Sequence, residues 1–180
     1  MMISMEGSER TDAILDLHER LCQRFDHIGI TLQAYLYRSQ DDLATLLQRP
    51  GRIRLVKGAY AEPESKALAR GDELNAAYVA LLETLLVSGH ACSIASHDPE
   101  LLGHAHRFIS ERDVRREPIE FEMLYGVTPE RLEEKLRQGY RTRVYMVYGV
   151  EWYLYLCHRL AEHPPNIFRA ITDIVGIEQH

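Results

Sequence analysis

Six times along this chain a short run of β-branched or alternating apolar residues is followed by a longer run with apolar residues at helical spacing. This repetition constrains the fold more than any other feature. Strands that alternate with helices form a parallel sheet, because parallel neighbours need crossover connections. Ile3 and its neighbours form the first, short strand candidate. A helix over Ser8 to Phe25 follows, marked by Ile14, Leu15, Leu17, Leu21 and Phe25. Ile28 to Leu36 reads as a buried strand. Ser39 is expected to cap a helix over Asp41 to Leu47, which Pro50-Gly51 ends. Ile53 to Val56 is the third strand. A long helix is predicted from about Glu64 to Val87, with Ser88-Gly89 as its stop. Ala91 to Ala95 is the fourth strand, and Asp98-Pro99-Glu100 opens a helix reaching Ser110. Pro118 to Met123 is strand-like. Thr128 is expected to cap the next helix, with Pro129 in its first turn and Gly139 at its end. Thr142 to Met146 and Glu151 to Glu162 form the last strand and helix, stopped by Pro164-Pro165.

Two architectures use such units: an open doubly wound sheet and a (βα)8 barrel. An open dinucleotide-binding sheet carries G-x-G-x-x-G after its first strand, and the sequence has no such string. A full barrel needs about 250 residues, whereas this chain has 180. The residues by themselves leave both architectures open, with about six βα units in a single domain over 1–180. Apolar residues make up 46% of the chain, enough for a packed core. The net charge of −6, without a Lys/Arg block, argues against nucleic acid as a partner. The sequence contains no apolar run of about 18 residues and no basic N-terminal segment leading into an apolar one. Cys22, Cys92 and Cys157 are widely spaced and odd in number, which disfavours a disulfide framework or a structural zinc site. A reducing, cytoplasmic compartment suits them, and no metal site is expected.

In parallel α/β folds chemistry sits at the carboxyl ends of the strands, and polar residues recur there in this chain. Glu6 follows the first strand; Gln33 and Tyr35 lie near the end of the second. Lys57 and Tyr60 follow the third, Ser96-His97-Asp98 the fourth. Glu120, Glu122 and Tyr125 surround the fifth, and Tyr145 and Tyr148 end the sixth. Asp98 reads first as a helix cap and second as a ligand. His97 reads equally as a satisfied strand-end histidine or a ligand. Glu120 and Glu122 flank Phe121 and so share one face of their strand. Carboxylates turned into a barrel are costly unless paired, although a solvated edge would also accommodate them. Arg54 is sharper, because it interrupts the otherwise apolar run Ile-Arg-Leu-Val, and a buried guanidinium needs an anionic or electron-rich partner. The Lys57-Gly58-Ala59 turn combines a cation, backbone amides and small side chains, which suits a phosphate or an anionic ring edge. In the last helix Glu151, Tyr155, His158, Arg159 and Glu162 recur at three- and four-residue steps. Arg159 and Glu162 also read as an ordinary surface ion pair.

Taken together these strings resemble the proline dehydrogenase family. They are Gly29-Ile30-Thr31-Leu32-Gln33-Ala34-Tyr35-Leu36-Tyr37-Arg38-Ser39, Arg54-Leu55-Val56-Lys57-Gly58-Ala59-Tyr60, Ala95-Ser96-His97-Asp98 and Phe121-Glu122-Met123-Leu124-Tyr125-Gly126. Arg143-Val144-Tyr145 and the stretch from Tyr148 to Glu162 complete the set. The Arg-Leu-Val-Lys-Gly-Ala-Tyr string is the most specific, and the order holds from about Ile3 to Ile171. The resemblance implies an α/β fold of (βα)8 TIM-barrel type, distorted, with FAD at its carboxyl face. With about six βα units the single domain over 1–180 would be an incomplete barrel that lacks the first strands, and its open edges would leave backbone groups unpaired and invite self-association. It implies oxidation of L-proline to 1-pyrroline-5-carboxylate by hydride transfer to the flavin, followed by electron transfer to a quinone or similar acceptor. A quinone acceptor would bring a cytoplasmic enzyme into peripheral contact with the inner membrane. By position, Arg54 would lie near the flavin N5 and stabilise the reduced, anionic flavin, and Gln33 would bond the pyrimidine edge. Lys57, Gly58, Ala59, Ser96 and His97 would contact the cofactor. Tyr60, Tyr145 and Tyr155 would line the proline pocket. Arg159 would bind the proline carboxylate beside His158, and Glu162 would fix the last helix. Arg54, Tyr145 and Arg159 are thus the candidate catalytic residues.

The sequence departs from the family pattern at several positions. His158 stands where the family usually has a second arginine, and a neutral imidazole cannot make the bidentate charged contact. That loss is worth about 1–3 kcal/mol of binding. Ser4 replaces the usual Asp two residues before Glu6, Ser96 replaces a Thr, and Val147 replaces a Pro. Two family strands, carrying a lysine near the substrate and an acidic partner for a last-helix arginine, have no counterpart in this sequence. Two alternatives therefore stand beside proline oxidation: a truncated relative without catalysis, and a flavoenzyme acting on another secondary amine.

Overall fold

The computed structural model describes residues 1–146. Six strands, β1 (Met2–Ile3), β2 (Gly29–Gln33), β3 (Ile53–Val56), β4 (Cys92–Ala95), β5 (Ile119–Leu124) and β6 (Arg141–Tyr145), form one sheet. The helices between them are α1 (Thr11–Cys22), α2 (Ser39–Leu46), α3 (Asp72–Ser88), α4 (Pro99–Glu111) and α5 (Pro129–Arg137). A single 3-10 turn at Ser8–Arg10 leads into α1. Every strand pairs in parallel with the next, in the order β1-β2-β3-β4-β5-β6. A doubly wound sheet reverses its strand order at a switch point. A strictly sequential order with right-handed crossovers keeps every helix on one side, which is how a barrel wall is built. The expectation of a partial (βα)8-type barrel is thereby met, with all six predicted strands present.

Alternation along the strands decides what each face carries. Ile30, Leu32, Ile53, Leu55, Cys92, Ile94, Ile119, Phe121 and Met123 are buried against the helices. Leu74, Tyr78, Leu81, Leu82, Leu85 and Leu86 of α3 and Leu101, Leu102, Ala105 and Ile109 of α4 complete that core. The register sets Thr31 beside Arg54, Arg54 beside Ser93, Ser93 beside Glu120, and Glu122 beside Arg143 on the opposite face. The barrel interior is therefore polar and charged, while the core lies between sheet and helices.

Three local expectations need correction. The helix predicted from Glu64 begins only at Asp72. Residues 64–71 are instead tied to the end of β2: Leu36 bridges Ala67 in antiparallel fashion, and the Leu68 amide donates to the Tyr35 carbonyl at 2.8 Å. Ser39 does not cap α2; it is the first helical residue, and its hydroxyl donates to the Gln33 carbonyl at 2.5 Å, anchoring the helix to β2. Thr128 precedes α5 with φ +48°, and its side chain makes no capping bond. Asp98 does cap α4 as expected, accepting from the amides of Glu100 and Leu101. Gly51, between α2 and β3, has φ +101°, and a Cβ there would meet the Ile28 carbonyl oxygen at 1.9 Å. The turn needs glycine because neighbouring backbone occupies that space.

Candidate active site

The carboxyl ends of β2 to β6 bring most of the predicted site residues to one mouth. Arg54, on the inner face of β3, reaches Glu122 of β5, with Nε 2.9 Å from Oε1. The Nε–H makes no aligned hydrogen bond, so the contact is ionic rather than directional. On its other side the guanidinium carbon lies 4.6 Å from the centre of the Tyr145 ring, at the end of β6. A planar cation held over an aromatic face is further stabilised by the ring quadrupole. The partner that the Arg54 position demands is thus both anionic and electron-rich. Arg54, Glu122 and Tyr145 come from three different strands, so only the folded sheet brings them together.

Glu120 and Glu122 both point into the barrel and both are paired there. The Arg143 guanidinium donates to both oxygens of Glu120, at 2.8 and 3.2 Å, and Ser93 Oγ adds a hydrogen bond at 2.6 Å. Arg52 stands 3.8 Å away. Burial works against the Glu120 anion, but the bonds from Arg143 and Ser93 and the charge of Arg52 hold its carboxyl below the ordinary range. Burial dominates at Glu122 and pushes its carboxyl above that range, with Arg54 pulling the other way.

Lys57 follows β3, and its ammonium donates to Asp98 Oδ2 at 2.8 Å, linking the mouths of β3 and β4. Burial opposes ionisation of Asp98, but Lys57 and the two capped amides hold its carboxyl below the ordinary value. Asp98 as the partner of Lys57 escaped the sequence reading, which weighed it as a helix cap or a ligand. The available signal was that both residues follow adjacent strands. Ser96 Oγ accepts from the Asp98 amide at 3.1 Å, and His97 Nε2 accepts from the Leu124 amide at 3.2 Å. These two residues therefore shape the β4 loop and fasten it to β5.

Gln33 is buried at the end of β2, where Nε2 donates to the Glu6 carbonyl at 2.8 Å. Tyr60 donates its hydroxyl to Glu6 Oε2 at 2.6 Å, so the loops after β1 and β3 meet across the mouth. The Ser8 amide donates to Glu62 at 2.6 Å in the same place, a junction the sequence reading did not anticipate. Gly58 has φ +121°, and a Cβ there would lie 2.4 Å from the Tyr35 ring. Its small size is thus already required by Tyr35; Ala59 beside it adds only a methyl group. Tyr155, His158, Arg159 and Glu162 lie outside the described residues, as do Tyr148 and Val147.

The donor set of this mouth suits an electron-rich, phosphate-bearing cofactor. Arg54 and Lys57 supply fixed cations, and Gln33 a buried amide. Thr31, beside Arg54 on the inner face, has a buried hydroxyl oxygen without a hydrogen-bond partner among the described residues. No group of His, Cys, Asp and Glu among the described residues is arranged to hold a metal ion, nor is any helix there long and apolar enough to cross a membrane.

The family model described as proline dehydrogenase matches residues 1–166. This chain belongs to the proline dehydrogenase family. It is 36% identical over 175 residues to proline dehydrogenase 1 of Bacillus subtilis, covering 96% of this chain and 57% of that protein. Proline dehydrogenase of Deinococcus radiodurans is 36% identical over 166 residues, covering 91% of this chain and 54% of the relative. The chain thus spans little more than half the length of these relatives. Among solved structures, proline utilization A from Bdellovibrio bacteriovorus, inactivated by N-propargylglycine, superposes with a TM-score of 0.80 at 26% identity. That match covers 88% of this chain and 19% of the other. The barrel wall of this chain is therefore that of the proline utilization A structures.

Proposed function

We propose that this chain carries the catalytic mouth of an FAD-dependent enzyme that oxidises L-proline to 1-pyrroline-5-carboxylate. The observation that carries the reading is Arg54, held between Glu122 and Tyr145 at the carboxyl end of a proline dehydrogenase-family barrel. Bound FAD would supply the chemistry by accepting a hydride from the substrate carbon next to the ring nitrogen. Arg54 would face the reacting edge of the cofactor and stabilise negative charge there. Lys57, Gln33 and the small residues Gly58 and Ala59 would hold its length, with Ser96 and His97 at the β4 loop. Tyr60 and Tyr145 would line the proline pocket from opposite sides, joined by Tyr155. Arg159 would take the proline carboxylate, with His158 beside it. Electrons would leave to a quinone or similar acceptor, which suits a cytoplasmic protein in peripheral contact with the inner membrane.

The test is spectroscopic. The purified chain, reconstituted with FAD, is expected to show a flavin spectrum that bleaches when proline is added without oxygen. Absence of bound flavin after reconstitution would overturn the reading. Flavin that ignores proline but bleaches with another secondary amine would reassign the substrate, as His158 in place of an arginine suggests.

A further inference from the structure

Glu122 enters the reading above only as a neighbour of Arg54, yet its setting differs from that of Glu120. Glu120 is held by Ser93 and Arg143, with Arg52 close by. Glu122 is buried with Arg54 as the cation in contact with it. The charged groups that face it are Arg54 and Arg52 from the β3 side, Glu120 on its own strand and Arg143 from β6. The strand between, β4, places Ala95 in register with it, and Tyr145 covers the far side of Arg54. Two carboxyls on one face, two residues apart, are thus pushed in opposite directions, Glu120 down and Glu122 up. A pair separated in this way divides its work: one member stays ionised while the other exchanges a proton.

We propose that Glu122 is a positioning residue for Arg54: it holds the guanidinium against Tyr145 and opposes its charge, so that the charge Arg54 offers to a bound flavin depends on whether Glu122 is ionised. The proposal rests on the reading that Arg54 faces the flavin. An arginine guanidinium is a permanent cation in proteins. An adjacent carboxylate offsets its field, and protonation of that carboxylate restores it. Glu122 takes up a proton more readily when negative charge gathers beside Arg54, so reduction of the site draws a fraction of a proton onto Glu122.

The experiment measures the midpoint potential of the FAD-reconstituted chain against pH for the wild type, Glu122→Gln and Glu122→Asp. Well above the carboxyl range, Glu122→Gln is expected to shift the equilibrium toward reduced flavin about tenfold, equivalent to about 30 mV for a two-electron couple. The difference should shrink as pH falls and Glu122 of the wild type protonates, and Glu122→Asp should restore the wild-type slope. Equal potentials at every pH, or an offset that does not vary with pH, would overturn the proposal and leave the reading of the site intact. A wild-type chain that binds no flavin would overturn both. If Glu122→Gln does not fold, the wild type decides alone. Its potential should fall more steeply with pH across the range where Glu122 titrates than above it, and a single slope throughout would overturn the proposal.

Discussion

Arg54 Nε and Glu122 Oε1 lie 2.9 Å apart although their strands are not neighbours. The strand between them carries Ser93 in register with Arg54 and Ala95 in register with Glu122. Both are small, so the longer side chains meet above them. The ion pair therefore depends on side-chain size at two positions of β4 as much as on its own two members. Removing one partner of a buried pair leaves an uncompensated charge.

Arg54→Ala is expected to lower stability by about 3–5 kcal/mol at neutral pH. The carboxyl of Glu122 already lies above its ordinary range, and loss of Arg54 raises it further. A folded-state value above the unfolded one costs stability at pH above both, and that cost disappears below the unfolded value. Urea unfolding of the variant and the wild type should therefore differ less as pH falls toward the ordinary carboxylate range. A difference that grows toward acid would contradict the assignment.

Glu120→Ala strips the partner from Ser93 and Arg143 together. Glu120→Gln keeps an acceptor for Ser93 and so should be the milder change. We expect the alanine variant to lose about 3 kcal/mol, the lower end of what breaking a buried pair costs, and the glutamine variant clearly less. Denaturant midpoints at constant m-value would decide, and equal losses would show that the Ser93 bond contributes nothing.

Asp98→Ala removes the cap of α4 and the partner of Lys57. Loss of the cap alone is worth about 1 kcal/mol, and the partly exposed ion pair adds little. Asp98 lies below its ordinary value, so its contribution is present above the unfolded value of about 3.9 and is lost as pH falls through the folded value. Thermal unfolding of the variant and the wild type should converge under strongly acidic conditions. In flavin titrations the same variant, with Lys57 released, should show altered FAD affinity while Asp98→Asn, which keeps an acceptor for the amides, separates cap from charge.

Gly58→Ala places a methyl group 2.4 Å from the Tyr35 ring at φ +121°. Both the contact and the backbone angle are unfavourable, and residues forced into such conformations cost about 1–3 kcal/mol. Adding Tyr35→Ala should remove the collision but not the backbone strain. Tyr35→Ala has its own cost, because Tyr35 is part of the core, so the comparison is a double-mutant cycle: Gly58→Ala should cost less in the Tyr35→Ala background than in the wild type, and an equal cost would mean that backbone strain alone limits this site.

Much of this molecule was legible before any tertiary contact was known. The alternation of apolar periods produced six strands and their order, because a parallel sheet leaves few ways to connect them. Arg54 inside an apolar run announced a partner of opposite charge, since an unpaired guanidinium cannot stay in a barrel wall. Glu120 and Glu122, two residues apart, had to share a face. The errors were local: Thr128 and Ser39 have side chains suited to capping, but Ser39 bonds the Gln33 carbonyl and Thr128 enters α5 in the left-handed region without a capping bond. The segment 64–71 has helical periodicity, yet it is held by Leu36 and Tyr35, which are remote in sequence.

Periodicity and residue type were enough for the strands of the wall and for the shared face of Glu120 and Glu122, while the motif strings carried the resemblance to the family. Which charge meets which follows only from the register of the folded sheet. Arg54 meets Glu122 rather than Glu120, whose carboxylate is already taken by Arg143 and Ser93. Lys57 met Asp98 because two strand ends lie side by side. Pairing across strands depends on register and side-chain length, quantities that exist only once the chain has folded.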